Sequence, residues 1–374
     1  MSNVFTEVLK EAGHVVSSRL DSVILFITST CQQRCFSCFY WDELNQKNNM
    51  THEQLLKMAD TSPPFRSLLL SGGEPFLRPR LAEVLDRFAE KAKIQYLAIP
   101  TNGGYPDKVE EEMTAFLTKH PDIFLTISVS IDGFEKSHEK IRGVPRAWEL
   151  ALKTLEVLRR MRERFSNMRV NVTTVACTDN FEELEDFIEF VDKELGVDFH
   201  ILEYIRGEPK DPRLLLGKEP AEKYIALKEE LADRYFNRRK GNRLYPGPNE
   251  AISRYYMAGF ELVQREIKKR VLLNDQGWPF PCLAGQTMVV VDHDGSVRAC
   301  ELRDRVTNLK EFEYDFSRTL ASSQVAKEVD QIAVDRCDKE CIHGCFVDTS
   351  QKHSFSNIAF RIPWLKTRQS LGFL

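Results

Sequence analysis

Ser22-Val-Ile-Leu-Phe-Ile-Thr28 is a run of apolar and β-branched residues that leads, two residues later, into Cys31-Gln-Gln-Arg-Cys35-Phe-Ser-Cys38. The run has the length and composition of a strand buried on both faces, as in a parallel sheet. Five more such runs follow, at Ser67 to Ser71, Ile94 to Pro100, Phe124 to Ile131, Val170 to Ala176 and Phe199 to Ile205. Helical patterns lie between them at Arg80 to Ala92, Lys108 to Lys119, Arg146 to Phe165 and Phe181 to Leu195, preceded by a capping box at Thr51-His-Glu-Gln54. Right-handed crossovers leave an open doubly wound sheet or a barrel, and six repeats are too few to close eight strands. The expected fold is therefore α/β, a partial (β/α)6 TIM-like barrel.

The rest of the chain sets the frame. With 374 residues, 42% hydrophobic and 29% charged, it has ordinary globular usage. Fifty-two Lys+Arg against 56 Asp+Glu give a net charge of -4, so no basic field recruits nucleic acid. Neither a signal peptide nor an integral membrane segment is legible, which makes the cytoplasm the default expectation. Residues 220–270 read as helical, broken at Tyr245-Pro-Gly-Pro248. Asp292-His-Asp-Gly295 sits between Met288 to Asp292 and Ser296 to Cys300, a hairpin pattern with an Asp-Gly turn. The expected segments are an N-terminal extension over 1–20, the barrel over 21–240, a helical bridge over 241–278, a small cysteine-rich domain over 279–350 and a tail over 351–374. In the tail, Pro363 is expected to break any long helix, and the apolar and basic stretch from Phe355 to Trp364 is expected to pack back on the barrel.

Nine cysteines in a chain of this size point to metal or redox chemistry. Cys31, Cys35 and Cys38 lie on a loop after the first strand, where barrel active sites are built. A structural zinc ion wants a fourth ligand nearby, whereas a cubane iron-sulfur cluster accepts three thiolates and leaves one iron open. Cys282, Cys300, Cys337, Cys341 and Cys345 form a second group, for which a zinc knuckle with His343 is the structural alternative. Cys177 ends the fifth strand and reads as a buried apolar residue.

The C-x3-C-x2-C motif after the first strand resembles the cluster motif of the radical S-adenosylmethionine (SAM) superfamily. Ser71-Gly-Gly-Glu-Pro75 resembles that family's GGE motif, and Pro100-Thr-Asn-Gly103 and Ser128-Val-Ser-Ile-Asp-Gly133, with His138 and Arg142, fall at the strand ends where it builds its SAM pocket. The resemblance implies a 4Fe-4S cluster on Cys31, Cys35 and Cys38 whose open iron chelates SAM. It implies that Gly72, Gly73 and Glu74 receive the SAM ammonium, that Ser130 and Arg142 hold its carboxylate, that Asn102 and Asp132 lie near the ribose, and that the backbone at Phe39 and Tyr40 borders the adenine. The residue before the third cysteine, aromatic in that family, is Ser37 here.

Cys282, Cys300, Cys337, Cys341 and Cys345 resemble the SPASM and twitch extensions of the same family, which implies one auxiliary 4Fe-4S cluster on four of the five. The implied activity is an oxidoreductase one: reductive cleavage of SAM to a 5'-deoxyadenosyl radical and hydrogen abstraction from a substrate C-H bond, fed by a flavodoxin- or ferredoxin-type reductant. Oxidation or crosslinking of a peptide or protein side chain is the first expectation; modification of a small metabolite such as a sugar or lipid precursor is the alternative, and a non-catalytic iron-sulfur or zinc scaffold is the reading from a different class. About twenty residues precede the first strand, which weakens a peptide substrate, and the terminal Ser-Leu-Gly-Phe-Leu lacks the Gly-Gly of the cyclase of molybdopterin biosynthesis. No catalytic acid or base is assigned.

Overall fold

The computed structural model describes residues 20–238 and 250–371; Tyr245 to Pro248 and the segment 1–19 lie outside the described residues. Contacts divide the chain into two compact units. One is Asp21–Leu216 with Val289–Glu328; the other holds, among the described residues, Leu20, 217–288 and 329–371. The units run across the segment boundaries read from the sequence, because residues 289–328 group with the barrel.

In the first unit six parallel strands stand side by side in chain order: β1 (Ser22–Thr28), β2 (Ser67–Gly72), β3 (Tyr96–Thr101), β4 (Phe124–Ser130), β5 (Met168–Ala176) and β6 (Phe199–Tyr204). Each pairs with its sequence neighbour, the arrangement of a partial barrel. All seven residues of β1 are buried, as its apolar run requires; burying a side chain such as Leu25 or Phe26 contributes about 1.5–3 kcal/mol. The crossover helices are α1 (His52–Asp60), α2 (Leu81–Ala92), α3 (Pro106–Lys119), α4 (Glu135–Arg142), α5 (Ala147–Arg164) and α6 (Leu184–Glu194). Thr51 and Gln54 form the expected capping box at the start of α1. Helix α4 escaped the sequence reading because its eight residues are mostly polar, and it ends at Gly143 with φ of 64°.

The hairpin is present, but it does not open a separate domain. Strands β7 (Met288–Val291), β8 (Ser296–Arg298) and β9 (Thr307–Asn308) extend the barrel sheet at β1, in the order β6-β5-β4-β3-β2-β1-β7-β8-β9. An unpaired edge on β1 would leave a row of backbone groups without partners, and β7 supplies them. Side chains fix the hairpin to the segment after the cysteine loop. Tyr40 Oη lies 2.6 Å from His293 Nδ1, His293 Nε2 lies 3.0 Å from Asn48 Oδ1, and Met50 N donates to His293 O at 2.7 Å. Asp292, wholly buried, faces Arg298 and Arg305, and Arg305 also reaches Glu43 at 2.6 Å.

The second unit is helical, with α7 (Ala221–Ala232), α8 (Glu250–Asn274), α11 (Gly344–Lys352) and α12 (Ile362–Ser370); the short α9 (Phe316–Leu320) lies in the first unit, and α10 (Ser323–Asp335) begins there and ends in the second. Pro363 lies in the first turn of α12, which follows directly on a π-helical stretch over Asn357–Arg361, so the regular α-helix is interrupted just ahead of the proline. The tail groups with α8: Ile362 packs so closely on Gly259 that a Cβ there would meet it at 2.3 Å.

Burial pushes the Asp292 carboxyl up even with two guanidiniums beside it, so desolvation outweighs their attraction. Removing one partner of such a buried pair costs far more than the pair is worth. Asp292→Ala is expected to lose about 3–5 kcal/mol in urea unfolding; a loss within about 0.5 kcal/mol, the size of an ordinary surface change, would refute the anchoring role.

Candidate SAM and cluster site

The site begins where β1 ends. Gly73 N donates to Thr28 O at 2.7 Å and Glu74 N donates to Thr30 O at 2.8 Å, so the turn after β2 is bolted to the residues before Cys31. A Cβ on Gly72 would lie 2.3 Å from Thr28 O, and one on Gly73 2.2 Å from Thr30 O. These glycines are needed by the chain itself, before any ligand is considered. Asn45 then grips Cys31 from the other side, its Oδ1 accepting from Cys31 N at 3.0 Å and its Nδ2 donating to Cys31 O at 3.1 Å. Further along the loop, Arg34 N and Phe36 N donate to the carbonyls of Arg142 and Ile141 at the end of α4, and Cys38 O accepts from Lys210 N.

The three thiols sit close enough to act on one another electrostatically. Burial pushes Cys31 up to about 12 and Cys38 up to about 11, and raises Cys35 as well. Each sulfur has N–H donors aimed at it: Asn102 Nδ2 at 3.8 Å from Cys31, Arg142 Nη1 at 3.9 Å from Cys35, and the Tyr40 backbone at Cys38. Three soft thiols with donors to their sulfurs suit a cubane with one thiolate per iron.

The Glu74 side chain makes structural contacts of its own. It is almost wholly buried, and its oxygens accept from Thr101 Oγ1 at 2.8 Å, Asn102 N at 2.8 Å and Phe76 N at 3.2 Å. The carboxylate thus ties the end of β3 to the turn after β2. Asp132 is likewise held by the chain itself. It is completely buried, Oδ1 accepting from Val175 N at 3.0 Å and Oδ2 pairing with Arg142 Nη2 at 2.7 Å. Its work is to hold Arg142. That guanidinium keeps its charge, burial being outweighed by Asp132 and Cys35, and its buried Nε has no partner.

His138 is buried and neutral, pushed down to about 3 by burial and by Arg142; its Nδ1 accepts from Asp132 N. Ser130 is half-buried at the end of β4. Phe39 is half-buried under the Arg206 guanidinium, 5.6 Å from its ring centre, and Arg206 pairs with Glu301 at 3.3 Å. Cys177 lies in an apolar cluster with Ile141, Ile205 and Leu214, as expected of a buried apolar residue.

In the second unit burial raises the Cys282 thiol to about 11, and Cys337 lies near enough to raise it further. Ser350 Oγ accepts from Leu283 N at 3.0 Å, Trp278 Nε1 donates to Cys341 O at 2.7 Å, and Cys345 stands in the first turn of α11. His343 donates its backbone N–H to Cys341 Sγ at 3.4 Å. Cys300 belongs to the first unit, two residues after β8.

Residues 25–191 match the family described as the radical SAM superfamily. That stretch, somewhat less than half of the chain, is a radical SAM domain, and enzymes of that superfamily bind a 4Fe-4S cluster and SAM. The chain is similar to the probable GTP 3',8-cyclase of Methanocaldococcus jannaschii, 23% identical over 299 residues, 76% of this chain and 85% of that one. It is 32% identical over 185 residues to the AdoMet-dependent heme synthase of Methanosarcina barkeri, covering 45% of this chain and about half, 49%, of that one. Its fold is similar to native anSMEcpe with bound AdoMet and the Cp18Cys peptide, with a TM-score of 0.58 and 16% identity over 94% of this chain and 99% of that one. Streptococcus suis SuiB bound to its precursor peptide SuiA has a TM-score of 0.56 and 16% identity, over 96% of this chain and 79% of that one. The fold is that of a partial TIM-like barrel with a SPASM-like cysteine-rich region. Among the described residues no helix is long and apolar enough to cross a membrane.

Glu74 generates a test. Burial raises its carboxyl from 4.5 to about 7, so its folded-state pKa lies above the unfolded one. The fold binds that proton better than the unfolded chain, and the resulting stabilisation, complete below the unfolded pKa, is lost as pH rises through about 7. Glu74→Gln also sets an amide N–H against a backbone donor, at a cost of about 1–3 kcal/mol. Wild type is expected to melt above the variant at acid pH, by a margin that shrinks towards alkaline pH; a margin constant with pH would show that Glu74 does not titrate in the fold.

Proposed function

We propose that the enzyme oxidises or crosslinks a side chain of a peptide or protein, and that four of Cys282, Cys300, Cys337, Cys341 and Cys345 would hold an auxiliary 4Fe-4S cluster that would supply a one-electron acceptor. The observation that carries this reading is the second thiol group, with Cys282 beside Cys337 and with Cys341 and Cys345 flanking the start of α11. In its support, two proteins of like fold over most of this chain hold peptides in their solved structures. When bound, the first cluster and SAM supply one-electron cleavage of the sulfonium, and with it a radical able to take hydrogen from a C-H bond.

The chain's own residues bind and orient. Arg142, fixed by Asp132, takes the SAM carboxylate, and the Gly72-Gly73 backbone takes its ammonium. Phe39 and Tyr40 border the adenine, and Ser130 completes the carboxylate contacts. Asn102 lies at the cluster, on the ribose side of the pocket. A flavodoxin- or ferredoxin-type protein supplies the electron. A second reading, modification of a small metabolite, draws on the curated relatives, whose names speak of GTP and of heme synthesis.

The test is anaerobic reconstitution with iron and sulfide, followed by SAM and dithionite. Roughly eight irons per chain, four for each cubane, are expected, with 5'-deoxyadenosine formed by wild type and absent in the Cys31/Cys35/Cys38 triple Ala variant. Deoxyadenosine formation that rises with candidate peptides and leaves them two hydrogens lighter supports the first reading. A rise only with small metabolites supports the second, and zinc in place of iron sinks both.

A further inference from the structure

Gly104 N is a donor whose direction the backbone fixes, and it points at Asn102 Oδ1 from 2.9 Å. The Asn102 amide is therefore oriented with its oxygen towards Gly104 and its NH2 on the far side. There Nδ2 meets Gln32 Oε1 at 3.2 Å and Cys31 Sγ at 3.8 Å, while Gln32 Nε2 returns a bond to Asn102 Oδ1 at 2.8 Å. The two amides form a reciprocal pair, each fixing the flip of the other. Gln32 lies so close to Gly104 that a Cβ there would sit 2.2 Å from Gln32 Nε2. The Asn102 backbone is held independently, by the Glu74 carboxylate.

We propose that Gln32 is a positioning residue for the first cluster: paired with Asn102 and seated on Gly104, it keeps the Asn102 N–H aimed at the Cys31 sulfur and so raises the reduction potential of the cluster that Cys31 ligates. An N–H donor draws electron density from a ligating sulfur and favours the more negative, reduced cluster. Arg142 provides the corresponding contact at Cys35, but as the SAM clamp it is not free to be varied without loss of binding. Gln32 and Gly104 differ in this respect, and Asn102, which borders the ribose side of the pocket, is read in the absence of SAM. The inference rests on the radical SAM cluster and not on the choice of substrate.

The experiment is a potentiometric titration of the reconstituted, full-length protein without SAM, followed by the EPR signal of the reduced cluster. The Cys282, Cys337, Cys341 and Cys345 Ala variant serves as the background, so that the first cluster is read alone. Asn102→Leu removes the donor, Gln32→Leu removes its brace, and Gly104→Ala displaces the brace through an added methyl while leaving Gln32 and Asn102 in the sequence. All three are expected to move the midpoint to more negative values, Asn102→Leu the most. Because the potential is read on loaded protein, a variant that merely takes up less iron still reports. A wild-type midpoint in all three would overturn the proposal. A shift in Asn102→Leu with none in Gln32→Leu and Gly104→Ala would overturn the part assigned to Gln32.

Discussion

Two backbone hydrogen bonds, Gly73 N to Thr28 O and Glu74 N to Thr30 O, hold the rest of the site in place. They form only because residues 72 and 73 lack a Cβ, and they fasten the turn after β2 to the chain just ahead of Cys31. From that joint the order spreads across the sheet. Glu74 reaches Thr101 and Asn102 at the end of β3, Asn102 reaches Gln32 and Cys31, and the first cysteine is thereby set by three strands at once. Such sharing of one loop among several strand ends suits a site that must meet a rigid inorganic cluster at several points.

The opposite wall depends on charge. Asp132 and Arg142 are both buried, and neither is stable there alone. Paired, they leave a guanidinium beside Cys35 with a donor unspent, a fixed positive group in a site of low dielectric. The carboxyl of Glu74 on the near wall pays the desolvation of burial without a cation in contact, which is why it titrates near neutrality. The site thus divides into a wall of neutral donors and a wall with one anchored cation.

Most of the barrel was legible because β-branched runs and amphipathic helices are local signals. Boundaries moved where a cap intervened: β3 starts at Tyr96 and not Ile94 because Lys93 takes a left-handed conformation after α2. The cluster cysteines, the glycine turn and Arg142 stood out as motifs. What their neighbours do was not legible, since Glu74 and Asp132 point to partners 27 and 43 positions away, through Thr101 and Val175. Gln32 and Gly104 gave no signal beyond their places, one between two cysteines and the other after Thr101-Asn-Gly103. Likewise, an Asp-Gly turn announces a hairpin but not the sheet it joins, and the edge of β1 was found only in three dimensions.

The central claim is that three thiolates on this loop hold a cubane with one iron left for SAM. Mössbauer spectroscopy of protein reconstituted with iron-57, before and after SAM is added, addresses it directly. The account predicts that SAM changes the spectrum of a single iron site and that this change is lost in Arg142→Leu, which removes the proposed carboxylate clamp. A spectrum that SAM leaves untouched in the wild-type protein would contradict it.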